Sequence, residues 1–165
     1  MFDHRKVVAV AAALIFSAAL ATIPASAEIA QRPGWVVKPT PYSYGDLIKR
    51  IDTAAKAQKI AVVTRASATR GAWAAYKKKI PGNMVIGLYH PRFAVPMLEA
   101  SIAAGIEAPI RLYVTENPDG TATLSYKTPS HVFAPYMADG GDKLKKLAAE
   151  LDALFAALAA DAGGK

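Results

Sequence analysis

The stretch MVIGLYHPRFAVPMLEAS, Met84–Ser101, decides how the chain is laid out. Met84–Tyr89 is an apolar run with one glycine, of strand length and suited to burial on both faces. His90-Pro91 ends it, because proline brings no N–H to a ladder and its fixed φ suits the first turn of a helix. From there Ala94, Val95, Leu98 and Ile102 fall at helical spacing and predict the apolar face of an amphipathic helix. Pro96 predicts a kink or a loose first turn, and Gly105 the helix end. A buried strand thus runs straight into a helix, with Tyr89, His90 and Arg92 at the junction.

Working outward towards the C-terminus, Ile110, Leu112 and Val114 alternate with Arg111, Tyr113 and Thr115, the period of a half-buried strand. Asn117-Pro118-Asp119-Gly120 is turn chemistry, and Ala122, Leu124 and Tyr126 alternate beyond it, so a β-hairpin follows. Thr128–Tyr136, TPSHVFAPY, reads as an irregular, aromatic-rich linker. Gly140-Gly141 and Asp142 then open a last helix. Its seam Leu144, Leu147, Leu151, Leu154 and Leu158 is either a core stripe or a coiled-coil dimer interface. The tail 162–165 is expected to fray.

Towards the N-terminus, Ile60–Val63 begins a strand running to about Ala66. Ser67 or Thr69 then caps a short helix with Trp73, Tyr76 and Ile80 on one side. Lys77, Lys78 and Lys79 fall in its last turn, where a solvated helix end is the plain reading and a phosphate or lipid site the sharper one. Before that, Ser43 with Asp46 opens a helix whose face is Leu47, Ile48, Ile51, Ala54 and Ala55. Residues 28–41 read as a linker with a short first strand at Trp35–Val37, ended by Pro39 and Pro41 and placed at a sheet edge. The domain proper is expected over 42–161, in the order β-α-β-α-β-α-β-β-α. The hairpin and trailing helix favour an α+β layer with an antiparallel-rich sheet over a parallel α/β fold.

The start of the chain reads as an address. Arg5 and Lys6 precede the apolar run Val7–Ala21, and Ala25-Ser26-Ala27 fits a cleavage site. The expectation is a signal peptide over 1–27 cut after Ala27, hence a periplasmic or secreted protein without a stable membrane anchor. The run is too short for a comfortable span. The chain has no cysteine, which excludes disulfides, thiolate catalysis and Cys-ligated metals. A formal charge of +7 over 165 residues allows an anionic ligand, an acidic partner or a membrane surface, but solubility alone accounts for it.

Taken in order, Gly87, Pro91, Ala94, Leu98, Glu99, Pro109, Glu116 and Asp119-Gly120 resemble domain-of-unknown-function family 302. The Pro-Ser-x-x-Phe-Ala-Pro-Tyr stretch at 129–136 is similar to exported members, and the resemblance spans Tyr42–Leu158. It implies a small α+β domain similar to the TATA-binding-protein-like class, often paired into dimers, and implies no activity. Some members carry a cysteine before the proline where this chain has His90, so a thiol role does not transfer.

No nucleophile elbow, zinc-protease helix, Walker loop or dinucleotide fingerprint occurs. Glu99, Glu107 and Glu116 fall on separate elements, and nothing in the sequence pairs them for acid–base work. The expected function is a non-enzymatic ligand-binding or interaction module. A haem- or metal-binding protein using His90 or His131 is the first alternative, and an enzyme of unidentified class the second. The expected site lies where 129–136 folds back over 89–92. Tyr89, Phe133 and Tyr136 would be apolar walls, Arg92 a charge partner, and His90 and His131 polar contacts. Its guest is a small planar or anionic molecule. No resident cofactor is expected beyond the haem or copper alternative, and a homodimer is expected but no nucleic acid.

Overall fold

The computed structural model describes residues 29–164. The leader reading for 1–27 and the cut after Ala27 lie outside the described residues. Five strands form one sheet: β1 (Trp35–Ser43), β2 (Ala61–Ala66), β3 (Asn83–Tyr89), β4 (Ile110–Glu116) and β5 (Thr121–Lys127). Their spatial order is β1-β5-β4-β3-β2, and every neighbouring pair is antiparallel. The helices are α1 (Tyr44–Ala57), α2 (Ala68–Tyr76), α3 (Pro91–Ala100), α4 (Pro129–Phe133) and α5 (Met137–Gly163). This is the α+β architecture and element order that the sequence predicts, with α4 and two 3-10 turns added.

One face of the sheet is covered. Met84, Ile86 and Leu88 of β3, Ile110, Leu112 and Val114 of β4, and Ala122, Leu124 and Tyr126 of β5 are all buried in one cluster with residues of α1, α3 and α5. Ser43 caps α1: its Oγ accepts from the Asp46 N–H at 3.2 Å and donates to the Asp46 carboxylate at 2.8 Å. The cap aims Leu47, Ile51, Ala54 and Ala55 at the sheet. In α5, Leu144, Leu147, Leu151, Phe155 and Leu158 are buried. The leucine seam is therefore core within one protomer, and a dimer would have to use another surface. Each such side chain contributes ~1.5–3 kcal/mol of burial.

Several details differ from the sequence reading. The first strand is nine residues long and passes through both prolines. It is tolerated because β1 is an edge, where a missing N–H forfeits no ladder bond. The register slips between Thr40 and Ser43, and the Thr40 hydroxyl bridges the slip by donating to Ala122 O at 2.7 Å. The 129–136 segment is not irregular. Thr128 caps α4, and a 3-10 turn over Ala134–Tyr136 leads into α5. Helix α5 is broken at Gly141 (φ 54°, ψ −149°), a conformation open to glycine, and its regular part begins there. Its C-terminus does not fray at once: Ala162 and Gly163 are buried. Arg50, stacked 4.0 Å over the Tyr42 ring, donates to the carbonyls of Ala162 at 2.7 Å and Asp161 at 3.0 Å.

Helix α3 is rotated from the expected face. Ala94 and Met97 are buried, while Val95 is 55 %, Leu98 43 % and Ile102 84 % exposed. The helix starts at Pro91 under a His90 cap, and the small Ala94 and pliant Met97 pack towards α5. It ends at Ala100 rather than Gly105, and a 3-10 turn covers Ala103–Glu107. Strand β3 is not enclosed on both sides. Val85, on the face away from the helices, is only half-buried. Helix α2, capped by Ser67, buries none of its residues, and it stops at Tyr76 because Lys77 turns left-handed (φ 53°).

Candidate functional site

Three of the six site residues predicted from the sequence come together. Tyr89 and His90 leave β3 beside Phe133 of α4, and all three line one cavity with Phe93, Leu151 and Phe155. The cavity measures about 30 Å³, the room of a single water and far below what a planar cofactor fills. The His90 Nδ1 is engaged: it accepts the Arg92 N–H at 2.9 Å and caps α3. The other three residues are directed elsewhere. Arg92 reaches Glu150 on α5 at 3.7 Å and is mostly exposed. The His131 ring packs against Gly34, leaving no space for a side chain there. Tyr136 donates to Glu107 Oε1 at 2.9 Å, and that bond, with lesser help from burial, holds its phenol above its ordinary pKa of 10.0. Among the described residues no group of three His, Cys, Asp or Glu is placed to hold a metal ion.

A larger concavity lies on the uncovered face of the sheet. It is a trough of about 790 Å³, with Val85 of β3, Tyr113 of β4 and Trp35 of β1 among its lining residues. Strand register explains the floor. Val37 pairs with Ser125, Ser125 with Tyr113, Tyr113 with Val85, and Val85 with Ala66, so these five side chains form one row across all five strands. One step along, Arg111 lies opposite Gly87 and Lys127 opposite Trp35. Lys127 Nζ sits 5.8 Å from the centre of the Trp35 ring, and Arg111 Nη2 is 3.7 Å from Glu107. Glu107 is thus held between Tyr136 and Arg111. Ser67 and Ala68 stand at one side of the trough and Val132 of α4 at the other.

Polar groups under this face are incompletely satisfied. The hydroxyls of Ser125 and Thr115, both on the uncovered face, are buried without a hydrogen-bond partner. Sequence reasoning missed the trough, although it had a signal. The alternation of β4 assigns Arg111 and Tyr113 to the side opposite the core, which reads as plain solvent exposure until the strand order sets them beside Val85 and Trp35.

The sequence matches the family described as Domain of unknown function DUF302 over residues 36–161. The chain belongs to the DUF302 family. A crystal structure of an uncharacterized conserved DUF302 protein from Bacillus stearothermophilus is similar to it, with a TM-score of 0.67 at 19 % identity. The likeness covers 77 % of this chain and 96 % of the other and shows a common fold. No curated protein matches the chain. In this DUF302 domain the position before the helix-opening proline is a capping histidine, so the strand-to-helix junction is filled by packing and a cap. The larger open space lies across the sheet.

Proposed function

We propose that this DUF302 domain is an exported, non-enzymatic binding module that seats a small molecule with a planar or apolar body and an anionic group on the uncovered face of its sheet. The observation that carries the reading is the 790 Å³ trough, within the size range of small-molecule sites, with aromatic and aliphatic residues, two cations, and the Glu107 carboxylate 3.7 Å from Arg111 among its lining. Tyr113, Val85 and Trp35 offer the apolar surface, and Arg111 and Lys127 the charge partners. The junction of Tyr89, His90 and Phe133 supports a haem or copper site less well, because its cavity is water-sized and His131 does not line it.

Titration with anilinonaphthalene sulfonate, a planar dye with one anionic group, tests the reading. The folded protein is expected to bind one dye, seen by native mass spectrometry and by fluorescence. Arg111→Ala should weaken it ~10-fold, the worth of one charge-assisted hydrogen bond. Tyr113→Ala should weaken it further, and His90→Ala should leave it unchanged. Loss confined to His90→Ala would return the site to the junction. Absence of binding, or a dimer that closes this face in sedimentation runs, would remove the small-molecule reading.

A further inference from the structure

The β2–α2 unit forms the far edge of the sheet, and none of the residues of β2 or α2 is buried. Every residue of α2 is at least partly exposed, with Trp73 at 51 % and Tyr76 at 81 %. Three residues apart, these two rings share one side of the helix. The left-handed turn at Lys77 ends the helix, so Lys77, Lys78 and Lys79 follow it as an exposed loop instead of completing its last turn. Lys77 Nζ lies 5.8 Å from the centre of the Trp73 ring, and the exposed Arg70 stands one turn before it. No aspartate or glutamate occurs between Asp52 and Glu99, and Asp52 is taken up by Arg65. Two large aromatic rings and four cations therefore share one short protrusion with no acid among them.

We propose that α2 and the lysine loop dock the domain on an anionic lipid surface, with Trp73 and Tyr76 at headgroup depth and Arg70 and Lys77–Lys79 over the lipid phosphates. Charge complementarity selects the occupant. A neutral protein partner gives no use for three consecutive lysines, and a soluble phosphate gives none for two solvent-exposed rings. Amphipathic aromatic rings favour the water–lipid boundary, and basic residues near it add attraction to anionic headgroups. The loop is held in shape for this. Thr69 Oγ donates to Pro81 O at 2.8 Å and accepts from the Asn83 N–H at 3.0 Å, which fastens the far end of the lysine run, and the Lys77 and Lys78 N–H groups donate to Trp73 O at 3.1 Å and Ala72 O at 3.2 Å at its start. The contact is peripheral, because no described helix is long and apolar enough to cross a membrane. Arg70, Trp73, Tyr76 and Lys77–Lys79 do not line the trough, so the proposal stands or falls apart from the ligand reading.

Flotation of the full chain with phosphatidylcholine vesicles, with and without phosphatidylglycerol, tests this. The protein is expected to float only with phosphatidylglycerol and to release as salt rises. Lys77→Glu/Lys78→Glu/Lys79→Glu should reduce binding by at least ~100-fold, about 5-fold for each lysine charge removed. Trp73→Ala/Tyr76→Ala should reduce it ~10-fold or more while the circular dichroism stays unchanged. Equal flotation with both vesicles, or wild-type flotation of the triple variant, would overturn the proposal. So would competition by soluble glycerol phosphate at equal charge, which identifies a free-phosphate site. A dimer in sedimentation that Trp73→Ala/Tyr76→Ala dissolves would assign the surface to a second copy instead.

Discussion

The two faces of the sheet share the same five strands and differ in almost everything else. On β5, Ala122, Leu124 and Tyr126 point into a core closed by α1, α3 and α5, while Thr123, Ser125 and Lys127 point to the other face, where Thr123 and Ser125 are buried as well and Lys127 is exposed. On β4, the corresponding sets are Ile110, Leu112 and Val114 against Arg111, Tyr113 and Thr115. One face stores the stability. The other keeps an aromatic and cationic surface free at little structural expense. A two-layer α+β domain has this division built in, because its long helices α1, α3 and α5 pack on one side.

The largest effect that would break this contrast comes from truncating the closed face. Phe155→Ala, fully buried against Tyr126 at a ring separation of 5.6 Å, should destabilise by ~3–5 kcal/mol. Val85→Ala, half-buried on the open face, should cost less than ~1.5 kcal/mol. Urea denaturation midpoints compare the two directly, and equal losses would mean that something covers the open face in solution.

A smaller effect probes where the open face is locally filled. At Gly87 an added Cβ would meet the Thr64 hydroxyl at 2.2 Å and Pro109 Cγ at 2.7 Å. Gly87→Ala should therefore destabilise by ~1–3 kcal/mol as the neighbours shift. Gly71→Ala, with open space around it on α2, should instead be neutral or stabilise by up to ~1 kcal/mol. Thermal melts should fall for Gly87→Ala and stay level or rise for Gly71→Ala.

The smallest effect is in alkali. Burial raises the phenols of Tyr44 and Tyr126 above 10.0, and the Glu107 bond raises that of Tyr136. The fold binds these protons more tightly than the unfolded chain. Their contribution is thus complete below about pH 10 and is lost as pH rises through the higher folded values. Urea midpoints should fall above pH 10, with phenolate absorbance lagging behind that of a free tyrosine. Tyr136→Phe should shrink the part of that loss that depends on the Glu107 bond and leave the parts due to Tyr44 and Tyr126.

Much of the closed face was legible in the sequence, and most of the open one was not. Period-two alternation in 110–126 and the Asn117–Gly120 turn identify the hairpin, and Ser43 with Asp46 identifies the start of α1, because these signals are local. Helix α3 shows the limit. Ala94, Val95, Leu98 and Ile102 make a fair apolar stripe, yet of these the structure buries only Ala94, and it adds Met97. Larger side chains are not always the ones that allow the closest approach. Prolines misled twice. Pro39 and Pro41 punctuate no loop, because an edge strand can dispense with their N–H groups, and Pro129 opens a helix instead of a linker. The expected site failed to assemble for a related reason. Proximity of aromatic and histidine residues at chain junctions says nothing of direction, and Arg92, His131 and Tyr136 each found a partner away from the cavity. Trp35, Arg111 and Tyr113 were visible as a polar or edge pattern, but their meeting depends on strand order, which no local signal carries.

The most direct test of the division between faces is a crystal structure of the anilinonaphthalene sulfonate complex. The account predicts the dye's rings over Tyr113 and Val85, with the sulfonate beside Arg111 and Lys127 and the cavity between Tyr89, His90 and Phe133 unchanged. A dye lodged in that cavity, with Phe133 displaced and the sheet face empty, would contradict it.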